Sequence, residues 1–71
     1  MANPIIEFVN SGKELTSAEG LELLKKIERE KIIEAWKIDE VLFAKLALAR
    51  NASDDVCLRR KIMFALSDTP S

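Results

Sequence analysis

Seventy-one residues with a formal net charge of -1 are expected to form one domain, near the lower size limit at which a chain folds alone. An apolar content of 48% beside 32% charged residues excludes the disordered class, and the charge balance lacks the overall basic character of nucleic-acid binders. One cysteine and no histidine exclude an intrachain disulfide and a Cys/His zinc site, so a chain this small is expected to draw added stability from a second subunit.

Asn3 followed by Pro4 opens a helix, because the Asn side chain caps while proline gives up an amide that has no partner in the first turn. Ile5, Phe8 and Val9 then share a face, which predicts a short helix over 4 to 9, with a short strand as the alternative. "NSG" at 10 to 12 ends it, with Gly12 free to take the left-handed conformation. "TSAE" at 16 to 19 reads as a capping box with Thr16 as the cap and Glu19 as its partner. The helix that follows puts Leu21, Leu23, Leu24, Ile27, Ile32 and Ala35 on one half of its wheel. Glu28 and Lys31 intrude on that face, while Ile33 and Trp36 point off it, so the helix either bends near 28 to 31 or packs its end differently.

From residue 21 to residue 69 there is neither glycine nor proline, and the next boundary rests on Asp39, a cap flanked by the hydrophobic staple of Ile38 and Phe43. Without that cap the two helices would merge into one rod suited to a dimer. The helix over about 40 to 50 is apolar nearly all round and is expected to be the most buried. "RNAS" breaks the pattern, with Asn51 able to adopt a positive φ and Ser53 a preferred cap of a last helix over about 54 to 67, with Asp54 and Asp55 in its first turn. Leu58, Ile62, Ala65 and Leu66 form its apolar stripe, widened by Val56 and Met63 on one side and by Cys57 and Phe64 on the other. The tail "DTPS" is expected to fray. The fold class expected is all-α, a small bundle of three main helices plus a short N-terminal helix, in a single domain.

The start "MANPIIEFV" has no basic region and too short an apolar stretch for a signal peptide core. The most apolar run, "VLFAKLALA", is nine residues with Lys45 inside it, whereas a spanning helix needs about 20. A cytoplasmic protein without a membrane span is expected.

Charge is spread unevenly. Residues 1 to 44 carry nine acids against six bases, and residues 45 to 71 three against five, so the two parts stand at -3 and +2. The basic patch lies in and before the last helix. Residues 47 to 60, "ALARNASDDVCLRR", can be laid on a helix-turn-helix pattern with Ala47, Asn51 and Ser53 in the small-residue, turn and cap positions. Cys57 would then pack the second helix and Arg59 would reach phosphate or guanine. Against this, Asp54 and Asp55 occupy the positions that face the polyanion, and Arg60 stands where the pattern wants an apolar residue. The same cations, Arg50, Arg59, Arg60 and Lys61, could instead bind an acidic protein surface, since arginine forms bidentate carboxylate pairs, or could simply be a solvated helix face.

Catalysis finds little support in the residue types. Histidine is absent, and the carboxylates fall mostly on polar helix faces. Cys57 between Val56 and Leu58 reads as a small buried apolar residue, with two aspartates close enough to disfavour a thiolate. No cofactor motif is visible, and none is expected. Trp36, Phe43 and Ala47 continue one stripe and are the candidate oligomer interface. The residues thus predict a non-enzymatic regulatory or adaptor module that binds another protein, as a homodimer. The alternatives are a helix-turn-helix transcriptional regulator using residues 47 to 66, and a structural subunit of a larger complex.

Overall fold

A computed structural model describes residues 3–67 of the chain. The described residues form five helices: α1 (Pro4–Asn10), α2 (Ala18–Lys26), α3 (Arg29–Ile38), α4 (Val41–Ala52) and α5 (Val56–Leu66). The tail at 68 to 71 lies outside the described residues. Among the described residues no helix is long and apolar enough to cross a membrane.

The Asn3 carboxamide does two jobs at the start of α1. Its Oδ1 accepts from the amides of Ile5 and Ile6 at 2.9 and 3.4 Å, while its Nδ2 donates to Lys31 O at 2.9 Å and Glu34 Oε2 at 2.7 Å. A local cap is therefore also a crosslink to α3. The helix stops where Gly12, at φ 85°, turns the chain left-handed. The cap of α2 is Ser17, one residue later than the expected Thr16: its Oγ accepts from the amide of Gly20 at 3.0 Å. Leu15, buried in the preceding loop, lies against the α2 backbone at Gly20.

The single helix expected from Thr16 to Trp36 is in fact two. Ile27 and Glu28 are extended, with ψ 161° and 146°, although neither glycine nor proline forces the break. The reason is tertiary. Breaking the chain there lets Leu24 of α2 and Ile32 of α3 both reach the core, and Lys61 of α5 supplies donors for the carbonyls left open. The intrusion of Glu28 on the apolar face is resolved the same way, since it sits exposed at the break. The expected three main helices are thus four, beside the short α1.

Asp39 ends α3 with its amide on Ala35 O and helps start α4 by accepting from the amide of Val41 at 3.1 Å. The staple proposed around it does not form a buried pair: Ile38 is 66% exposed and Phe43 41%. Nor is α4 the most buried helix. It buries one stripe, Leu42, Leu46 and Ala49, and leaves Val41 and Leu48 exposed on one flank. The deepest contribution comes from α5, whose expected stripe of Leu58, Ile62, Ala65 and Leu66 is wholly buried. α4 and α5 form the most extensive helix pair, α3 packs next on α5, and α1 lies against α3 and α2. Ile5, Leu24, Ile32, Leu42, Leu46 and Ile62 are the largest fully buried side chains, each stabilising the fold by about 1.5–3 kcal/mol relative to exposure.

Candidate functional site

The link between α4 and α5 decides which cations meet. Asn51 lies inside α4, and no residue other than glycine has positive φ among the described residues, so the left-handed turn that Asn51 could have made, and that the helix-turn-helix pattern puts there, is absent. Helix α4 ends instead at Ser53, which is extended and buried. Nor is Ser53 the cap of α5. That role belongs to Asp55, whose Oδ1 accepts from the amides of Cys57 at 2.9 Å and Leu58 at 3.2 Å. Aspartate wins because its carboxylate meets the open amides of the first turn with a full negative charge. Ser53 Oγ accepts from the Asp55 amide at 3.1 Å, and Ser53 O accepts from Arg59 Nη1 at 3.3 Å. The turn is thus closed by its own side chains and pinned by an arginine.

This turn sets Arg50, at the end of α4, beside the outer stripe of α5. Val56, Arg59, Arg60 and Met63 recur at helical spacing and share that stripe. With Arg50 and Asn51 they line a groove of about 370 Å3. Its apolar part is open to solvent, with Val56 59% exposed and Met63 46%. Three of the four expected partner-binding cations therefore converge. Arg50 and Arg60 form no ion pair among the described residues, whereas Lys13, Lys25 and Lys31 are each paired with a carboxylate.

Lys61, the fourth, points elsewhere. Its ammonium donates to the carbonyls of Lys25 and Ile27 at the α2–α3 break, and the burial that goes with this lowers its pKa below the ordinary lysine value. It lines a separate depression of about 260 Å3 with Lys25, Asp55, Cys57 and Leu58. Cys57 is exposed there, contrary to the expectation that it is buried, because the α5 stripe centred on Leu58 and Ile62 turns it toward solvent.

Trp36 and Phe43 meet edge to face, with ring centroids 5.2 Å apart and planes at 82°. The Trp36 Nε1–H donates to Ala65 O at 3.0 Å, which ties α3 to the end of α5, and Ala47 is half-buried against the core. Most of Trp36 is thus committed within the chain, while Phe43 keeps an open edge.

Two features of this face had a signal in the sequence that went unused. The spacing of Val56, Arg59, Arg60 and Met63 already placed cations and apolar groups on one stripe. Lys61, opposite Arg59 on the α5 wheel, could be told apart from its neighbours by the same count. Comparison with family models, curated proteins and solved structures finds no match to this chain.

Proposed function

We propose that this chain is a small non-enzymatic regulatory or adaptor module that binds another protein through the α4–α5 face, and that it works as a homodimer. The observation that carries the reading is the groove in which Arg50, Arg59 and Arg60 surround the exposed Val56 and Met63. An apolar centre with a charged rim is the usual anatomy of a protein interface, and arginine and methionine are enriched in such patches. Self-association draws on the α3–α4 corner, where Ile38 and Phe43 are exposed. Phe43 and Arg50 are seven residues apart, so they share one flank of α4 about 10 Å apart at 1.5 Å of rise per residue, and a dimer at the corner adjoins the arginine groove.

The alternative, a helix-turn-helix regulator reading DNA through α5, uses the same arginines. It has to bring phosphates past Asp54 and Asp55, and it leaves Val56 and Met63 facing a polyanion. Site-specific photo-crosslinking in extracts of the native host tests the protein-binding reading. A crosslinker at Met63 is expected to form a protein adduct that a crosslinker at Leu48, on the other flank of α4, does not form. The adduct should disappear in the Arg50→Glu/Arg60→Glu variant. Equal adducts from both positions would count against a specific face. Anisotropy titration with labelled duplex DNA at about 50 and 200 mM salt tests the alternative, which requires binding that falls steeply with salt.

A further inference from the structure

We infer that the groove between α4 and α5 takes an acidic amphipathic segment of a protein partner, with carboxylates on the three arginines and one apolar side chain on Val56 and Met63. This rests on the protein-binding reading above and names the partner's chemistry. Charge complementarity carries the argument. The lysines Lys13, Lys25 and Lys31 have carboxylates within 4 Å, so their charge is answered within the chain. Arg50 and Arg60, like Lys26, Arg29 and Lys45, have no such answer among the described residues, but Arg50 and Arg60 line one groove together while those three line separate depressions. Arg59 is held in place by its bond to Ser53 O, which leaves its remaining guanidinium donors for a ligand. A guanidinium presents a rigid fork that matches a carboxylate in a bidentate pair.

Two observations favour carboxylates on a peptide over phosphates on a nucleic acid. The amides at the start of α5, the place where a helix would bind phosphate, are already taken by Asp55 Oδ1. Val56 and Met63 lie among the arginines, and they reward a ligand that brings an apolar group with its charge. A helix with acids spaced three and four residues apart around a leucine or phenylalanine has both parts on one face.

The test uses the full chain and three fluorescent probes. They are a helical peptide with glutamates flanking one leucine, the same peptide with that leucine replaced by serine, and duplex DNA. Binding is read by anisotropy and by amide shifts of the labelled protein. The expected result is that the leucine peptide binds best and moves the amides of residues 50 to 63. Its affinity should fall about tenfold or more with serine in place of leucine, and similarly in Arg60→Ala and in Arg60→Lys, which keeps charge but loses the fork. Arg60 is exposed, so a thermal melt is expected to show both variants folded. The inference is overturned if the leucine peptide leaves those amides unmoved at millimolar concentration, if the serine peptide binds equally well, or if DNA binds more tightly than either. A silent peptide together with a specific crosslink from Met63 would remove this partner chemistry and leave the protein-binding reading standing.

Discussion

The ammonium of Lys61 on α5 donates to the carbonyl oxygen of Lys25 at the end of α2, 3.0 Å away, and to that of Ile27 just beyond. One cation thus answers carbonyls that the α2–α3 break leaves without helical partners, at the negative end of the α2 dipole. Replacing it by methionine keeps the aliphatic stem and removes the donors. Lys61→Met is expected to cost about 1–2 kcal/mol, the range for charge-assisted hydrogen bonds at a helix end. Urea unfolding checks this, and an unchanged midpoint would mean that water serves those carbonyls equally well.

The same residue sets a pH dependence. Burial lowers the Lys61 pKa below 10.5, so between the lowered folded value and 10.5 the unfolded chain binds more protons than the folded one. Stability then rises with pH across that window, as the cost of holding a desolvated charge is relieved. Lys25, Asp55, Cys57 and Leu58 line the surrounding depression. The difference in stability between the parent chain and Lys61→Met is therefore expected to grow as the pH is raised toward 10.5, compared by urea unfolding at each pH. A difference that shrinks would mean that the loss of charge weakens the bonds to α2 more than desolvation costs.

Gly20 shows a constraint of another kind. A β-carbon built there would lie 2.5 Å from Leu15 O and 2.6 Å from Glu14 O, both backbone atoms. Alanine inside a helix normally gains about 1 kcal/mol over glycine. Here the buried loop around Leu15 would have to move away, and that cost should exceed the gain. Gly20→Ala is expected to lower stability by about 2 kcal/mol, in the range of other overpacking changes. A thermal melt that shifts upward would show that the loop yields freely.

Periodicity made the packed faces legible, because a stripe of apolar residues has few other places to go. The α5 stripe of Leu58, Ile62, Ala65 and Leu66 and the cap at Asn3 followed directly from residue type and spacing. The break at Ile27 and Glu28 did not, since it serves tertiary packing: it lets Leu24 and Ile32 both reach the core, and its open carbonyl at Ile27 meets Lys61, thirty-four positions away. The start of α5 is ambiguous in the sequence for a local reason: Ser53, Asp54 and Asp55 are all capable caps, and residue type alone does not select Asp55, which caps while Ser53 is buried and accepts from the Asp55 amide. The exposed flanks of α4 were hidden too, as an all-apolar helix reads as buried whether or not the rest of the chain is large enough to cover it. For the groove, the sequence already grouped Arg50, Arg59 and Arg60, but it counted Lys61 with them, and the contacts with α2 and Ile27 set that residue apart.

Asn3 separates capping from crosslinking. Its Oδ1 serves the α1 amides, and its Nδ2 reaches Lys31 O and Glu34 Oε2 on α3. Asn3→Asp keeps an acceptor for the amides but has no N–H to donate, and it places a carboxylate beside that of Glu34. If the link to α3 matters, Asn3→Asp should be as destabilising as Asn3→Ala, each by about 1–2 kcal/mol. Adding Glu34→Gln to Asn3→Asp should recover part of the loss. Denaturant unfolding of the three variants decides it: an aspartate variant as stable as the parent chain would mean that only the cap counts.

Homodimer formation is expected to respond differently to the two aromatic residues of the candidate interface. Trp36 donates to Ala65 O and supports the junction of α3 with α5, so Trp36→Ala should weaken the fold whether or not a dimer forms. Phe43 has an open edge, and Ile38 beside the same corner is more exposed still. A lysine at Ile38 would put a charge into a buried interface while leaving the monomer core untouched. Ile38→Lys is therefore expected to abolish self-association and to change monomer stability by less than about 0.5 kcal/mol, the usual range for a surface substitution. Phe43→Ala should lose both self-association and the edge-to-face contact with Trp36, worth about 0.5–1.5 kcal/mol. Sedimentation equilibrium of the parent chain should give twice the 8.0 kDa monomer mass, and both variants should give the monomer. A parent chain that sediments as a monomer at high micromolar concentration would remove the dimer. If Ile38→Lys and Phe43→Ala both remained dimeric, the interface would have to lie on another face.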